Sequence, residues 1–160
     1  MLAASSPVAA QLPLGLPWLP WHLRLDALSG LFLANIGLLV FVISLYAPAY
    51  IRAYQHGKNR PSLVVLGLFT ALFVLGMYLV VLADDAYAFM VCWETMALSS
   101  FFLVTTNHRV PEIRRAGYLY LLIAHIGAIA ILLCFGVLQA NTGDYTFGNM
   151  RLQQLSPFWA

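Results

Sequence analysis

Four stretches of the chain are long and apolar enough to cross a lipid bilayer. They cover residues 28–50, 63–82, 87–105 and 117–138, and Glu94 is the only Asp, Glu, Lys or Arg among them. About 20 apolar residues cross the hydrocarbon core as a helix, which satisfies its own backbone hydrogen bonds in lipid. The strands of a transmembrane barrel would alternate polar and apolar residues, and that pattern is lacking here. With 62% hydrophobic and 9% charged residues, the chain is predicted to be an all-α membrane protein with four transmembrane helices.

The segments that flank this four-helix region, 27–139, have different compositions. Residues 1–26 include Pro7, Pro13, Pro17 and Pro20, which would interrupt a helix, so this segment is predicted to be a Pro-rich loop. A secretory signal is the alternative, but its basic start and unbroken apolar run are missing. Residues 140–160 are predicted to form a tail that begins with a turn near Gly143.

The basic residues predict how the helices are oriented. Six of the eight lie in two loops, between the first and second spans and between the third and fourth: Arg52, Lys58, Arg60, Arg109, Arg114 and Arg115. The other two, Arg24 and Arg151, lie near the ends of the chain. Because cytoplasmic loops collect Lys and Arg, the loop 1–26 and the tail 140–160 are predicted to be extracytoplasmic.

Glu94 and His125 are the candidate functional residues. A carboxyl group near the middle of a span is unfavourable by at least about 2.5–3.5 kcal/mol, which indicates a function. With a rise of about 1.5 Å per residue, Glu94 and His125 lie roughly 18 and 14 Å from the inner ends of their consecutive helices. Two groups that can exchange a proton at similar depth predict a proton relay, because His titrates near neutral pH.

Packing roles are the alternatives for these residues. His125 is flanked by Ala124, Gly127 and Ala128, small residues that let a neighbouring helix approach, so it could serve as an interhelical hydrogen-bond donor. A protonated Glu94 could likewise only tie two helices together. Ser99 and Ser100 are expected to bond to carbonyl groups of their own helix.

Several other functions are disfavoured by the sequence. A net charge of +2, with dispersed basic residues, gives no basic patch for nucleic acid. No metal site, cofactor site or catalytic site is expected, because no phosphate loop, His-x-x-x-His pair or Cys-x-x-Cys pair occurs. Any enzymatic activity would therefore belong to a complex that contains the chain.

Three segments resemble one known family. They are LRLDALSGLF, LADDAYAFMVCWETMALSSFFLV and RAGYLYLLIAHIGAIAILLCFGVL. They resemble the antiporter-like, proton-translocating membrane subunits of complex I and of membrane-bound hydrogenases. The W-E-x-x-x-L-S-S and I-A-H-I-G sequences are most similar to the branch formed by the hydrogenase 4 and formate hydrogenlyase membrane subunits.

The resemblance implies a proton-translocating membrane subunit in the inner membrane, with other membrane subunits as partners. In the family, the glutamate that matches Glu94 faces a lysine on a later, broken helix. Family members have about fourteen helices in inverted repeats. Here Lys58 is the only lysine, so the chain is expected to be an N-terminal fragment that ends before the next helix. A non-pumping structural or assembly subunit, or a cation/proton antiporter subunit, remains the alternative.

Overall fold

A computed structural model of the chain describes residues 7–55 and 62–151. Its elements are β1 (Val8–Leu16), β2 (Leu19–Leu25), α1 (Ala27–Gln55), α2 (Leu63–Leu82), α3 (Ala86–Val104), a 3-10 turn (Thr105–Asn107), α4 (Pro111–Thr142) and α5 (Phe147–Arg151). Four helices, α1 to α4, are long and apolar enough to cross a membrane. The chain is therefore a multi-pass membrane protein, and the predicted all-α membrane fold is confirmed, with a small β-hairpin added before α1. The predicted loop positions of Lys58 and Arg60 lie outside the described residues.

The predicted spans fall almost entirely within the observed helices, and the largest difference is at the start of α4. This helix begins at Pro111, six residues before the predicted start at 117. Proline is well tolerated in a first helical turn, where backbone N–H groups have no partner within the helix. Arg114 and Arg115, which were predicted to lie in a loop, are therefore in the first turns of α4. The helix ends at Gly143, whose φ of 67° is the left-handed conformation expected of a turn glycine.

The prediction of a Pro-rich loop is wrong for residues 8–25, which form an antiparallel hairpin. The prolines occupy positions that a two-stranded sheet tolerates. Pro13 lies at the irregularity between Leu12 and Gly15, and Pro17 lies in the turn between the strands. Neither position requires a ladder hydrogen bond from the missing N–H. The alternation of apolar and other residues in LPWHLRL was the signal for a strand.

The four long helices pack in sequence order, with α3 between α2 and α4. Helices α2 and α3 approach each other closely at Gly76, where an added Cβ would lie 3.0 Å from the Cβ of Met96 and 3.3 Å from the carbonyl oxygen of Cys92. Small residues permit such contacts between helix backbones in membranes. Accordingly, α3 contributes half of the buried residues in the described ranges: Ala86, Ala88, Cys92, Ala97 and Ser99.

At the predicted outer end, the α2–α3 connection is held between β2 and the segment after α4. The amide of Asp84 donates to the carbonyl of His22 at 2.8 Å, and the amide of Phe147 donates to the carbonyl of Asp84 at 3.0 Å. The amide of Ala86 donates to the carbonyl of Tyr145 at 3.0 Å. These bonds join three segments that are far apart in sequence and set the height at which α3 begins.

Candidate functional site

The position of Glu94 follows from a capped start of α3. Asp85 is the N-cap residue, and its Oδ1 accepts a hydrogen bond from the amide of Ala88 at 2.6 Å. Such a cap satisfies one of the amide groups that have no partner within the helix. Glu94 lies eight residues after Ala86, so roughly 12 Å of helix separates it from the capped end. The carboxyl group therefore lies at membrane depth, with its side chain 33% exposed.

Small residues of α4 lie on either side of this depth. Gly117 faces Thr105, and a Cβ at Gly117 would overlap the methyl group of Thr105. Further along α4, Ala128 is 4% exposed. In contrast, a Cβ at Gly127 would meet nothing within 4 Å among the described residues. Of the two small residues after His125, Ala128 is therefore buried, whereas Gly127 has no close neighbour among the described residues.

Glu94 and His125 contact each other across the α3–α4 interface. Oε2 of Glu94 lies 3.6 Å from Nε2 of His125, whose side chain is 46% exposed. The sequence predicted similar depth, and the structure adds the helix rotations that point the two side chains at each other. A separation of 3.6 Å exceeds a hydrogen bond, so proton exchange requires a closer approach, to about 2.6–3.2 Å, or one bridging water.

The hydrogen bond made by Nδ1 of His125 determines whether Nε2 carries a hydrogen in the neutral ring. Nδ1 lies 2.9 Å from the carbonyl oxygen of Leu121. A carbonyl oxygen can only accept, so Nδ1 carries the hydrogen. In the neutral imidazole, Nε2 is then unprotonated and presents a lone pair to Glu94. The lone pair of Nε2 and the carboxyl group of Glu94 therefore face each other across the interface.

A second polar contact joins the same two helices nearer the predicted inner side. Ser100 Oγ donates to the carbonyl of Ala97 at 2.8 Å, as expected of a membrane serine. It is also hydrogen-bonded to the hydroxyl of Tyr120. Because the serine hydrogen is used within the helix, Tyr120 is the donor in this contact. Ser99 also donates to its own helix, to the carbonyl of Thr95 at 2.6 Å.

A buried polar cluster that was not predicted from the sequence lies at the predicted outer end. Asp85 is fully buried, and its Oδ2 accepts from the amide of His22 at 2.6 Å. The Nδ1 atom of His22 lies 3.3 Å from the same oxygen. The hydroxyl of Tyr145 donates to the carbonyl of Pro20 at 3.2 Å, and burial raises the pKa of this phenol. The available signal was the N-cap position of Asp85, directly before an apolar helix.

Within residues 7–55 and 62–151, no three His, Cys, Asp or Glu side chains are grouped as a metal ion would require. The candidate functional site is the pair of Glu94 and His125, which contact each other between two membrane-crossing helices. These features define a multi-pass membrane protein with two titratable groups in contact between its helices.

Comparison with known proteins identifies the family. Residues 83–159 match the family described as NADH:quinone oxidoreductase/Mrp antiporter, TM. This part of the chain is therefore similar to the membrane domain shared by the complex I and Mrp antiporter family. The match includes both Glu94 and His125, and the resemblance predicted from the sequence is confirmed.

Individual relatives come from more than one branch. Hydrogenase-4 component B of Escherichia coli is 38% identical over 135 residues, which are 84% of this chain and 19% of that protein. An uncharacterized protein of Mycobacterium tuberculosis is 36% identical over 129 residues, 81% of this chain and 19% of that protein. A putative antiporter subunit, mnhA2, of Staphylococcus haemolyticus is 29% identical over 149 residues, 88% of this chain and 18% of that protein. The chain thus spans about a fifth of the length of these relatives.

Proposed function

We propose that the chain contributes a proton-carrying site to an antiporter-like membrane subunit, in which Glu94 releases and accepts the proton and His125 exchanges it. The 3.6 Å contact between Glu94 Oε2 and His125 Nε2 carries this proposal. The family match and the similarity to Hydrogenase-4 component B support a membrane-bound hydrogenase or an NADH:quinone oxidoreductase-type complex as the setting. The inner membrane, partner membrane subunits and extracytoplasmic outer ends belong to the same proposal.

The chemistry follows from the two protonation states of the pair. A proton that leaves Oε2 of Glu94 moves to Nε2 of His125, and this converts a neutral acid and a neutral imidazole into a carboxylate and an imidazolium. In a medium of low dielectric constant, a nearby charge shifts this equilibrium strongly. A charge change in a neighbouring subunit would therefore move the proton between the two helices, which couples remote chemistry to transport.

The test replaces the acid without changing its shape. In membranes that contain the assembled complex, we expect Glu94→Gln to abolish substrate-driven proton uptake into inverted vesicles while the complex still assembles. The matched control is Glu112→Gln, which neutralises a carboxyl group in the first turn of α4, away from the pair. Proton uptake retained in Glu94→Gln would refute the proposed role.

A packing role is the second candidate, favoured by the fact that the contact joins α3 to α4. In that case a complex with Glu94→Gln would take up protons normally, because the amide group of glutamine can still donate a hydrogen bond to Nε2 of His125. A bulkier residue at Ala128, which is buried, would instead impair assembly. Proton uptake by vesicles that contain Glu94→Gln separates the two roles, because it is lost if Glu94 carries the proton and is normal if Glu94 only packs; native gel electrophoresis then shows whether the Ala128 variant assembles.

A cation/proton antiporter is the third candidate, favoured by the similarity to the putative antiporter subunit mnhA2. It predicts that proton movement depends on an added cation such as Na⁺. The same vesicle assay, with and without Na⁺, distinguishes it from redox-driven translocation.

A further inference from the structure

A cavity of about 330 Å³ opens at the predicted outer end of the helices. Its walls come from the start of α1, the end of α2 and the short helix α5, so it lies where the membrane-crossing segments begin and end. Charged side chains and apolar side chains both line it. A cavity of this kind at a membrane boundary suits an amphiphilic ligand.

The basic side of the cavity contains Arg24 and Arg151, the two basic residues that the topology places outside. Nε of Arg24 is buried and donates no hydrogen bond to any residue within the described ranges. The carboxylate oxygen nearest to it, Oδ2 of Asp26, is 3.9 Å away, which is too far for a hydrogen bond. The other oxygen of Asp26 already accepts from the amide of Ser29 at 2.8 Å. The Arg24 side chain as a whole is 28% exposed and lines the cavity, and a guanidinium group in this position favours a ligand with an anionic oxygen, because phosphate matches the guanidinium fork.

The opposite charge is present in the same cavity. Asp84 and Asp26 line it beside the arginines, so two carboxylates balance two guanidinium groups. A ligand with only negative charge would be repelled by these carboxylates, whereas a zwitterion has a partner for each of its charges. A primary ammonium group can donate hydrogen bonds to a carboxylate, and a trimethylated ammonium group cannot.

The apolar side of the cavity continues down the helix surface. Phe32 and Leu28 line the cavity and are 50% and 63% exposed, and Leu31 beside them is 67% exposed. This surface faces the depth at which acyl chains lie. A free phosphate or a water-soluble zwitterion would leave it uncovered, whereas a phospholipid would cover it.

We propose that this cavity binds one ethanolamine phospholipid, with its phosphate at Arg24 and Arg151, its ammonium group at Asp84 and an acyl chain along α1. The arrangement gives a partner of opposite charge to both the basic and the acidic side chains that line the cavity.

Native mass spectrometry of the full chain tests the proposal. The chain is released from micelles that contain equal amounts of phosphatidylethanolamine, phosphatidylglycerol and phosphatidylcholine. We expect one phosphatidylethanolamine to be retained in preference to the other two. Arg24→Gln should lower this retention about tenfold, the effect of removing one charged hydrogen-bonding partner. Arg52→Gln, which removes a basic residue at the other end of α1 and outside the cavity, should leave retention unchanged.

A second variant tests the headgroup separately. Asp84→Asn should reduce the retention of phosphatidylethanolamine to that of phosphatidylglycerol, because the carboxylate that binds the ammonium group is lost while the phosphate site remains. This result is interpretable even if Arg24→Gln fails to fold. Equal retention of the three lipids by the unaltered chain would overturn the proposal, as would retention that neither variant changes or displacement of the lipid by inorganic phosphate alone.

Discussion

Replacement of Asp85 by asparagine should loosen the predicted outer end of the protein. The fully buried carboxylate accepts one hydrogen bond on each oxygen, from the amides of His22 and Ala88, both at 2.6 Å. Asparagine has one acceptor oxygen and one NH₂ group at these positions. Whichever way the amide is turned, one backbone N–H faces another donor and loses its partner.

The size of the effect follows from these two bonds. A hydrogen bond to a charged group contributes about 1.5–3 kcal/mol, and the remaining bond becomes a weaker, neutral one. We therefore expect the variant to lower the free energy of local opening by about 3 kcal/mol, equivalent to roughly a 100-fold change in an equilibrium constant. The affected unit is β2 together with the first turn of α3, because Asp85 joins them.

Hydrogen exchange measures this local opening directly. The amides of His22 and Ala88 should exchange roughly 100-fold faster in Asp85→Asn, whereas amides in the middle of α3 should not change. Asp84→Asn is the matched control, because the side chain of Asp84 makes neither of these bonds. If the His22 amide exchanges at the same rate in Asp85→Asn as in the unaltered chain, the reasoning about this cluster is refuted.

Three further predictions address packing, the second polar contact and pH. Gly76→Ala should destabilise the chain by about 1–3 kcal/mol, because the new Cβ would meet the Cβ of Met96 at 3.0 Å. Gly67→Ala, where the new Cβ would lie in open space, should be neutral or slightly stabilising. Thermal unfolding in detergent compares the two variants, and equal effects would contradict the packing argument. Ser100→Ala and Tyr120→Phe should each weaken the α3–α4 interface. In a double-mutant cycle, their effects on the free energy of unfolding should be coupled by about 0.6 kcal/mol, whereas additive effects would show that the hydrogen bond between the two hydroxyl groups is not formed. Asp26 lies directly before α1, and the hydrogen bonds from Ser29 lower the pKa of its carboxyl group. The stability that the ionised Asp26 contributes is therefore complete above the ordinary pKa of an aspartate, and it is lost as the pH falls through the lower pKa of the folded state. Asp26→Asn should remove this dependence of the thermal unfolding temperature on acid pH. If the unfolding temperature of the variant changes with pH as it does in the unaltered chain, Asp26 is not the group responsible.

Much of the fold could be predicted from the sequence because lipid imposes simple rules. The spans predicted at 63–82 and 87–105 differ from α2 and α3 by no more than one residue at each end. These limits follow from apolar runs and the charges that bound them. The hairpin could not be recognised in the same way, because the prolines in β1 and β2 suggested a loop while the strand pattern was short.

The candidate site was predicted only in part. The depths of Glu94 and His125 follow from counting residues along two helices, since each residue adds a fixed rise. Their contact does not follow from counting, because it depends on the rotation of each helix about its axis. That rotation is set by packing at Gly76 and Gly117, which involves residues distant in sequence.

The amino-acid sequence was sufficient to establish the membrane class, the number and depth of the helices, and the two titratable residues within them. These properties depend on local composition and on the fixed geometry of a helix. Three contacts required the folded chain: Nε2 of His125 faces Glu94, Asp85 is buried against β2, and Arg24 and Arg151 share one cavity. Each of these depends on side chains brought together from different segments, and such contacts arise only when the helices and the hairpin have packed.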